Sequence, residues 1–113
     1  MTQTCNHEFH PEPFWEDATL ETIYSKIVSG MNYLVLEFIC DKSLKKAIDV
    51  IEINNSLRLK YLIIPTLLNK SIEELKKGPK FDTDYLIGRR CQIKQECFNG
   101  DMYITNYRAI KVN

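Results

Sequence analysis

The residues of this chain that can do chemistry are flat rings and cations rather than nucleophiles. Tyr33, Tyr103 and Tyr107 carry rings able to stack on the π-face of a ligand. Lys26, Lys42, Lys45, Lys46, Arg90, Lys94 and Arg108 can hold phosphate, provided that several align along one groove. Asn32 sits beside Tyr33 and completes the candidate contact set. Catalytic signatures are missing. His7 and His10 are the only histidines, and no Walker, Rossmann or metal-hydrolase spacing occurs. Cys40, Cys91 and Cys97 read as small strand residues. Cys5, His7 and His10 place three zinc-type ligands within a short stretch, but structural zinc draws on two well-spaced pairs. The expectation is a binding protein: no enzyme, no cofactor and no metal.

Composition sets the frame. The 113 residues suffice for one domain, and 44% hydrophobic with 27% charged residues is the profile of a soluble globular chain. The longest apolar runs, Tyr33–Leu36 and Tyr61–Pro65, are far too short to span a bilayer. The N-terminal stretch has no basic n-region and no apolar h-region. A cytoplasmic protein with reduced thiols and no membrane contact is therefore expected. Formal net charge is zero, which argues against gripping duplex DNA by electrostatics alone. The distribution is uneven. Residues 1–41 hold one lysine against seven acids, and residues 42–80 hold nine basic residues against four acids.

Positioning those side chains is the task of a small β domain. Residues 1–13 lack periodicity and read as a tail, with Phe14 and Trp15 docking it onto a domain over 14–113. Ala18–Ser29 is rich in Thr, Ile, Tyr and Val and predicts a strand. A turn at 29–32 leads to a second strand, Asn32–Cys40. There Leu34, Leu36, Phe38 and Cys40 share one face, and Tyr33, Val35, Glu37 and Ile39 the other. A basic loop and a third strand, Ala47–Ile53, follow. Leu57, Tyr61, Ile64, Leu68, Ile72 and Leu75 then fall at helical spacing, with a break expected near Ile64 because Pro65 lacks an amide donor. Two helical pieces, 55–69 and 72–77, result. Ser71 and Glu74 form a capping box at the second, and Gly78-Pro79 ends it. Arg89–Phe98 and Met102–Val112 alternate as the last strands, joined by Asn99-Gly100, the pair that a type I′ turn requires. On the fourth strand Arg90, Gln92, Lys94 and Glu96 share one face; Tyr103 and Tyr107 share one parity on the fifth.

The order β-β-β-α-β-β predicts a mainly β chain: an OB-fold-like five-stranded barrel with a kinked or broken helix between strands 3 and 4. Such barrels bind oligonucleotides through the strand 2–3 face and the loops joining strands 1–2 and 4–5. Two blocks, SGMNYLVLEF and DTDYLIGRRCQIK with NGDMYITNY, resemble the small OB-fold single-stranded-DNA-binding proteins of phages and other mobile genetic elements. The first block matches that family's Ser-Gly turn into an apolar strand ending in Glu-Phe. The second matches its acidic turn and its Leu-Ile-Gly-Arg step into strand four. The helix with Pro65 departs from the pattern.

The resemblance implies an accessory role in replication or recombination, with single-stranded DNA as ligand and a polymerase, primase, helicase or recombinase encoded nearby as partner. It also places the Asn99-Gly100 turn across a cleft from the Ser29-Gly30 turn, beside Tyr103, Tyr107 and Arg108. The sequence leaves DNA and RNA undistinguished, since 2′-OH contacts leave no motif. A second reading is a protein-docking subunit or inhibitor, because the helical region carries more apolar residues than one stripe needs. Part of that surface would face a partner or a second copy of the chain.

Overall fold

The computed structural model describes residues 13–78 and 82–110. The rest of the expected tail, with Cys5, His7 and His10, and the end of the expected last strand lie outside the described residues. Five strands, β1 (Phe14–Val28), β2 (Met31–Cys40), β3 (Lys46–Glu52), β4 (Arg90–Phe98) and β5 (Asp101–Arg108), form one antiparallel sheet in the order β3-β2-β1-β4-β5. The chain is mainly β, with a short helical region between β3 and β4. Among the described residues no helix is long and apolar enough to cross a membrane.

Alternation sets the strand faces. On β2, Leu34, Leu36, Phe38 and Cys40 are buried as their shared parity requires. β1 begins earlier than the pattern suggests: Phe14 and Trp15 pair with Gln95 and Lys94 and open the strand. Two hairpins turn on two residues each. Ser29 and Gly30 have φ of 51° and 79°, and Asn99 and Gly100 have 50° and 85°. Positive φ at both positions is the type I′ signature, whose twist matches that of the flanking strands. The first turn fixes the pairs Val28–Met31, Lys26–Tyr33 and Tyr24–Val35.

Two bulges break simple parity. Glu21 has no partner between the pairs Leu20–Phe38 and Thr22–Glu37, so both Leu20 and Ile23 face the core. Thr105 is likewise extra between Ile104–Gln95 and Asn106–Lys94. It turns Tyr107 inward although Tyr103, four residues earlier, points out. The shared parity expected of these two tyrosines is corrected on this ground.

Pro65 acts as expected, through a change of helix type. Leu59–Ile63 forms π-helical turns that pass directly into α1 (Ile64–Leu68). The wider turn moves the carbonyl four residues back away from the proline ring. It also shifts the helix phase. Ile63 and Leu67 are buried against the sheet, while Leu57 and Tyr61 of the expected stripe are exposed. Asn69, at φ 53°, ends α1, and the Ser71–Glu74 capping box starts α2 (Ile72–Lys77).

β3 and β5, the two edges of the sheet, come into contact but share no backbone ladder. Side chains close the seam. Tyr107 donates its hydroxyl to Asp49 Oδ2 at 2.5 Å, and Arg58 Nη2 donates to the same oxygen at 2.9 Å. Arg58 also reaches the Ile104 carbonyl at 3.4 Å. Burial, reinforced by the Asp49 charge and hydrogen bond, pushes the Tyr107 phenol well above the ordinary value of 10.0. Cys40 and Cys91 are free and buried; Cys97 is disulfide-bonded, contrary to the expectation of fully reduced thiols.

Tyr107→Phe should cost roughly 1.5–3 kcal/mol in urea unfolding at pH 7, since it removes a hydrogen bond to a buried carboxylate. A change below about 0.5 kcal/mol would show that the hydroxyl does not hold the seam. Burial also raises the Cys91 thiol to about 12 and the Cys40 thiol to about 11, against an ordinary 9.0. Raised values favour the neutral thiols in the folded state. Their stabilisation is complete below pH 9 and is lost as pH climbs towards 11 and 12. Unfolding free energy should therefore fall above pH 9, and less so in Cys91→Ala; a flat profile would contradict the assignment.

Candidate functional site

The outer face of β1, β2 and β3 carries a groove of about 300 Å³ lined by Tyr24, Lys26, Val28, Tyr33, Val35, Ile48 and Val50. Alternation puts these side chains opposite the core, and cross-strand pairing brings them together. Tyr24 faces Val35, Lys26 faces Tyr33, and Val35 faces Val50. Tyr24 and Tyr33 therefore sit diagonally, with Lys26 beside both. Tyr24 is 46% exposed and Val50 50% exposed, so the floor is wet and apolar at once. A salt bridge closes one end of the groove: Lys46 Nζ lies 3.2 Å from Glu37 Oε1. The Tyr24 phenol interacts with the same carboxylate. Lys46 first and Tyr24 second hold Glu37 below the usual carboxylate range, and the Glu37 carboxylate keeps the Tyr24 proton on above the usual phenol range. The Tyr33 hydroxyl lies 3.8 Å from Met31 Sδ.

The candidates named from sequence divide into groups. Lys26 and Tyr33 meet in the groove, whereas Asn32, exposed near the hairpin tip, has the opposite parity and lies outside its lining. Lys46 lies beyond the groove's far end, paired with Glu37. Lys42 and Lys45 lie exposed in the turn after β2, beyond that end.

Arg90, Lys94 and Arg108 lie elsewhere, on the outer face of β4 and β5. Arg90 donates through Nε (3.0 Å) and Nη2 (2.5 Å) to Asp41, which also accepts from Thr19 Oγ1 at 2.9 Å. Burial opposes the Asp41 charge, but these bonds prevail and lower its pKa. The Arg108 guanidinium lies 4.0 Å over the Trp15 ring and donates to Gln92, which in turn donates to Asp17. Lys94 stands in register between Trp15 and Asn106.

Tyr103 is exposed on the β4–β5 hairpin, its ring 6.0 Å from that of Phe98. Gln95 pairs with Phe14, so this hairpin runs past the start of β1, whereas the Ser29-Gly30 turn lies past its end. Tyr107 is corrected outright: at 3% exposed and bonded to Asp49, it offers no ring for stacking.

Sequence reasoning missed Tyr24, Val28, Ile48 and Val50 as groove residues. A two-residue Ser29-Gly30 turn, taken at its word, sets Tyr24 against Val35 and would have found the first of them. No family model, curated protein or solved structure matches this chain.

If Arg90 is a tie between β4 and the end of β2, Arg90→Ala should lower Tm while leaving oligonucleotide affinity within about twofold. A loss of affinity with unchanged Tm would return Arg90 to the contact set.

Proposed function

We propose that this chain is a single-stranded nucleic-acid-binding accessory protein, with single-stranded DNA its ligand, serving replication or recombination of a phage or mobile element. The diagonal Tyr24–Tyr33 pair with Lys26 between strands carries the reading. Sequence-tolerant binding needs rings for stacking and a cation for the backbone, and this face supplies both. The strand order, with β3 and β5 in contact, supports an OB-fold barrel left unladdered at one seam, a fold whose strand 2–3 face takes oligonucleotides. From Tyr33 to Ile39 the face runs about 20 Å, at ~3.4 Å per residue. That suits the short end of the ~4–16 nucleotide sites of such folds.

The cations left for phosphate are few. Lys26, Lys42 and Lys45 have no carboxylate partner among the described residues. Three phosphate contacts give a salt slope of only about −2, so stacking must supply most of the affinity. The apolar floor of Val28, Ile48 and Val50 favours one second reading, in which the same face docks on a replication enzyme.

Fluorescence anisotropy with oligo-dT separates the two. Binding at low salt is expected, weakening with the shallow slope given above. Tyr24→Ala and Tyr33→Ala should each reduce affinity roughly 5- to 150-fold, the equivalent of ~1–3 kcal/mol per lost stack. Tyr103→Ala should change it by no more than about twofold. No binding to any single strand at low salt sinks the reading and leaves the protein-docking one.

A further inference from the structure

We propose that the turn between β2 and β3 is a wedge that caps the end of a duplex where it opens into the strand held in the groove; this rests on the groove reading above. Leu44 carries the inference. Its φ is 59°, in the left-handed region. Among the described residues, the other non-glycine residues there are Ser29 and Asn99 in type I′ turns and Asn69 at a helix end. Of these four, the bulky leucine is the one least suited to that backbone. It gains nothing from packing in return: at 74% exposed it is the most exposed large hydrophobic side chain among the described residues.

The turn around it is well held. Leu44 N–H donates to the Cys40 carbonyl at 2.8 Å, and Cys40 N–H to that of Lys45 at 2.8 Å. Asp41 N–H donates to the Asp17 carbonyl at 2.9 Å, and Ser43 Oγ to Glu16 at 3.2 Å. An exposed apolar side chain on a strained but well-held turn is what a contact residue requires and what stability alone would remove.

Its surroundings select the partner. Lys42 and Lys45 flank Leu44, both exposed and without a carboxylate among the described residues. An apolar knob between two cations matches an apolar surface bordered by two rows of negative charge. The terminal base pair of a duplex, with its two phosphodiester chains, has that chemistry, and aliphatic side chains serve as wedges at base steps. The turn also leads straight into the groove's third strand, since Lys46, directly after Lys45, begins β3, which carries Ile48 and Val50. A single strand lying along β2 would reach its duplex junction at Leu44.

The test compares one oligo-dT sequence alone with the same sequence as a 3′ or 5′ tail on a DNA hairpin, by anisotropy. Wild type should bind one of the tailed hairpins at least about tenfold more tightly than the free strand. Leu44→Gly suits a left-handed backbone, so it should fold with an equal or higher Tm. It should keep single-strand affinity within about twofold and lose the junction preference. Equal binding of free and tailed strands overturns the wedge, as does a preference that survives in Leu44→Gly. Leu44-dependent binding to phosphatidylglycerol vesicles without any junction preference overturns it too, in favour of a lipid surface. Failure to bind any oligonucleotide overturns the groove reading itself, so the two outcomes stay distinct.

Discussion

A buried carboxylate at an unladdered seam is the constraint on which the rest of the molecule depends. β3 and β5 are edges of the same sheet, brought together without backbone pairing. Asp49 is 7% exposed, and its charge would be costly there without partners. Tyr107 supplies a hydroxyl from β5, and Arg58 supplies a charge from the turn of helix that precedes the π-helical segment. Arg58 remains 44% exposed, so bringing it to Asp49 removes little of its hydration. The same three residues therefore close the sheet and pin the helical region across it. They also orient the groove. Asp49 points inward, so its neighbours Ile48 and Val50 must point outward, where they line the groove.

The two outer walls of the sheet treat their charges differently. On β1, β4 and β5, Arg90, Asp41, Thr19, Asp17, Gln92, Arg108 and Trp15 satisfy one another in a connected polar network. Such a network fixes strand order but leaves few donors for a ligand. On β1, β2 and β3 the polar contacts gather at one end, around Glu37, and the centre is rings and aliphatic carbon. A chain of zero net charge thus keeps the ion pairs of this face at its end and leaves the centre to rings, aliphatic carbon and Lys26.

Local signals in the sequence were read well where one element decides its own shape. β2 alternates cleanly, Asn99-Gly100 names its turn, and Ser71 with Glu74 announces a helix start. What escaped was non-local or phase-shifting. The bulge at Thr105 reversed Tyr107, and the π-helical turns before Pro65 rotated the apolar stripe. No local pattern marks an extra residue whose presence depends on the facing strand. Arg90 and Asp41, 49 residues apart, likewise carry no sign of each other, so a structural cation was indistinguishable from a phosphate-binding one. At the site, Lys26 and Tyr33 were legible, while Tyr24 required an exact register across the first hairpin.

The double membership of β1 bears on how the chain folds. Its later residues pair with β2 through a two-residue turn, and β3 joins next, so these three strands assemble from neighbours in sequence. Its first residues pair with β4, and the Gln92–Asp17 bond spans 75 residues. Loop closure over that distance comes late and slows folding. On the ribosome, the half of β1 from Phe14 to Thr19 must wait, one edge bare, until β4 has emerged. The three-stranded meander that bears the groove would form first, and the interval before β4 arrives is when the nascent chain is most open to mispairing with another.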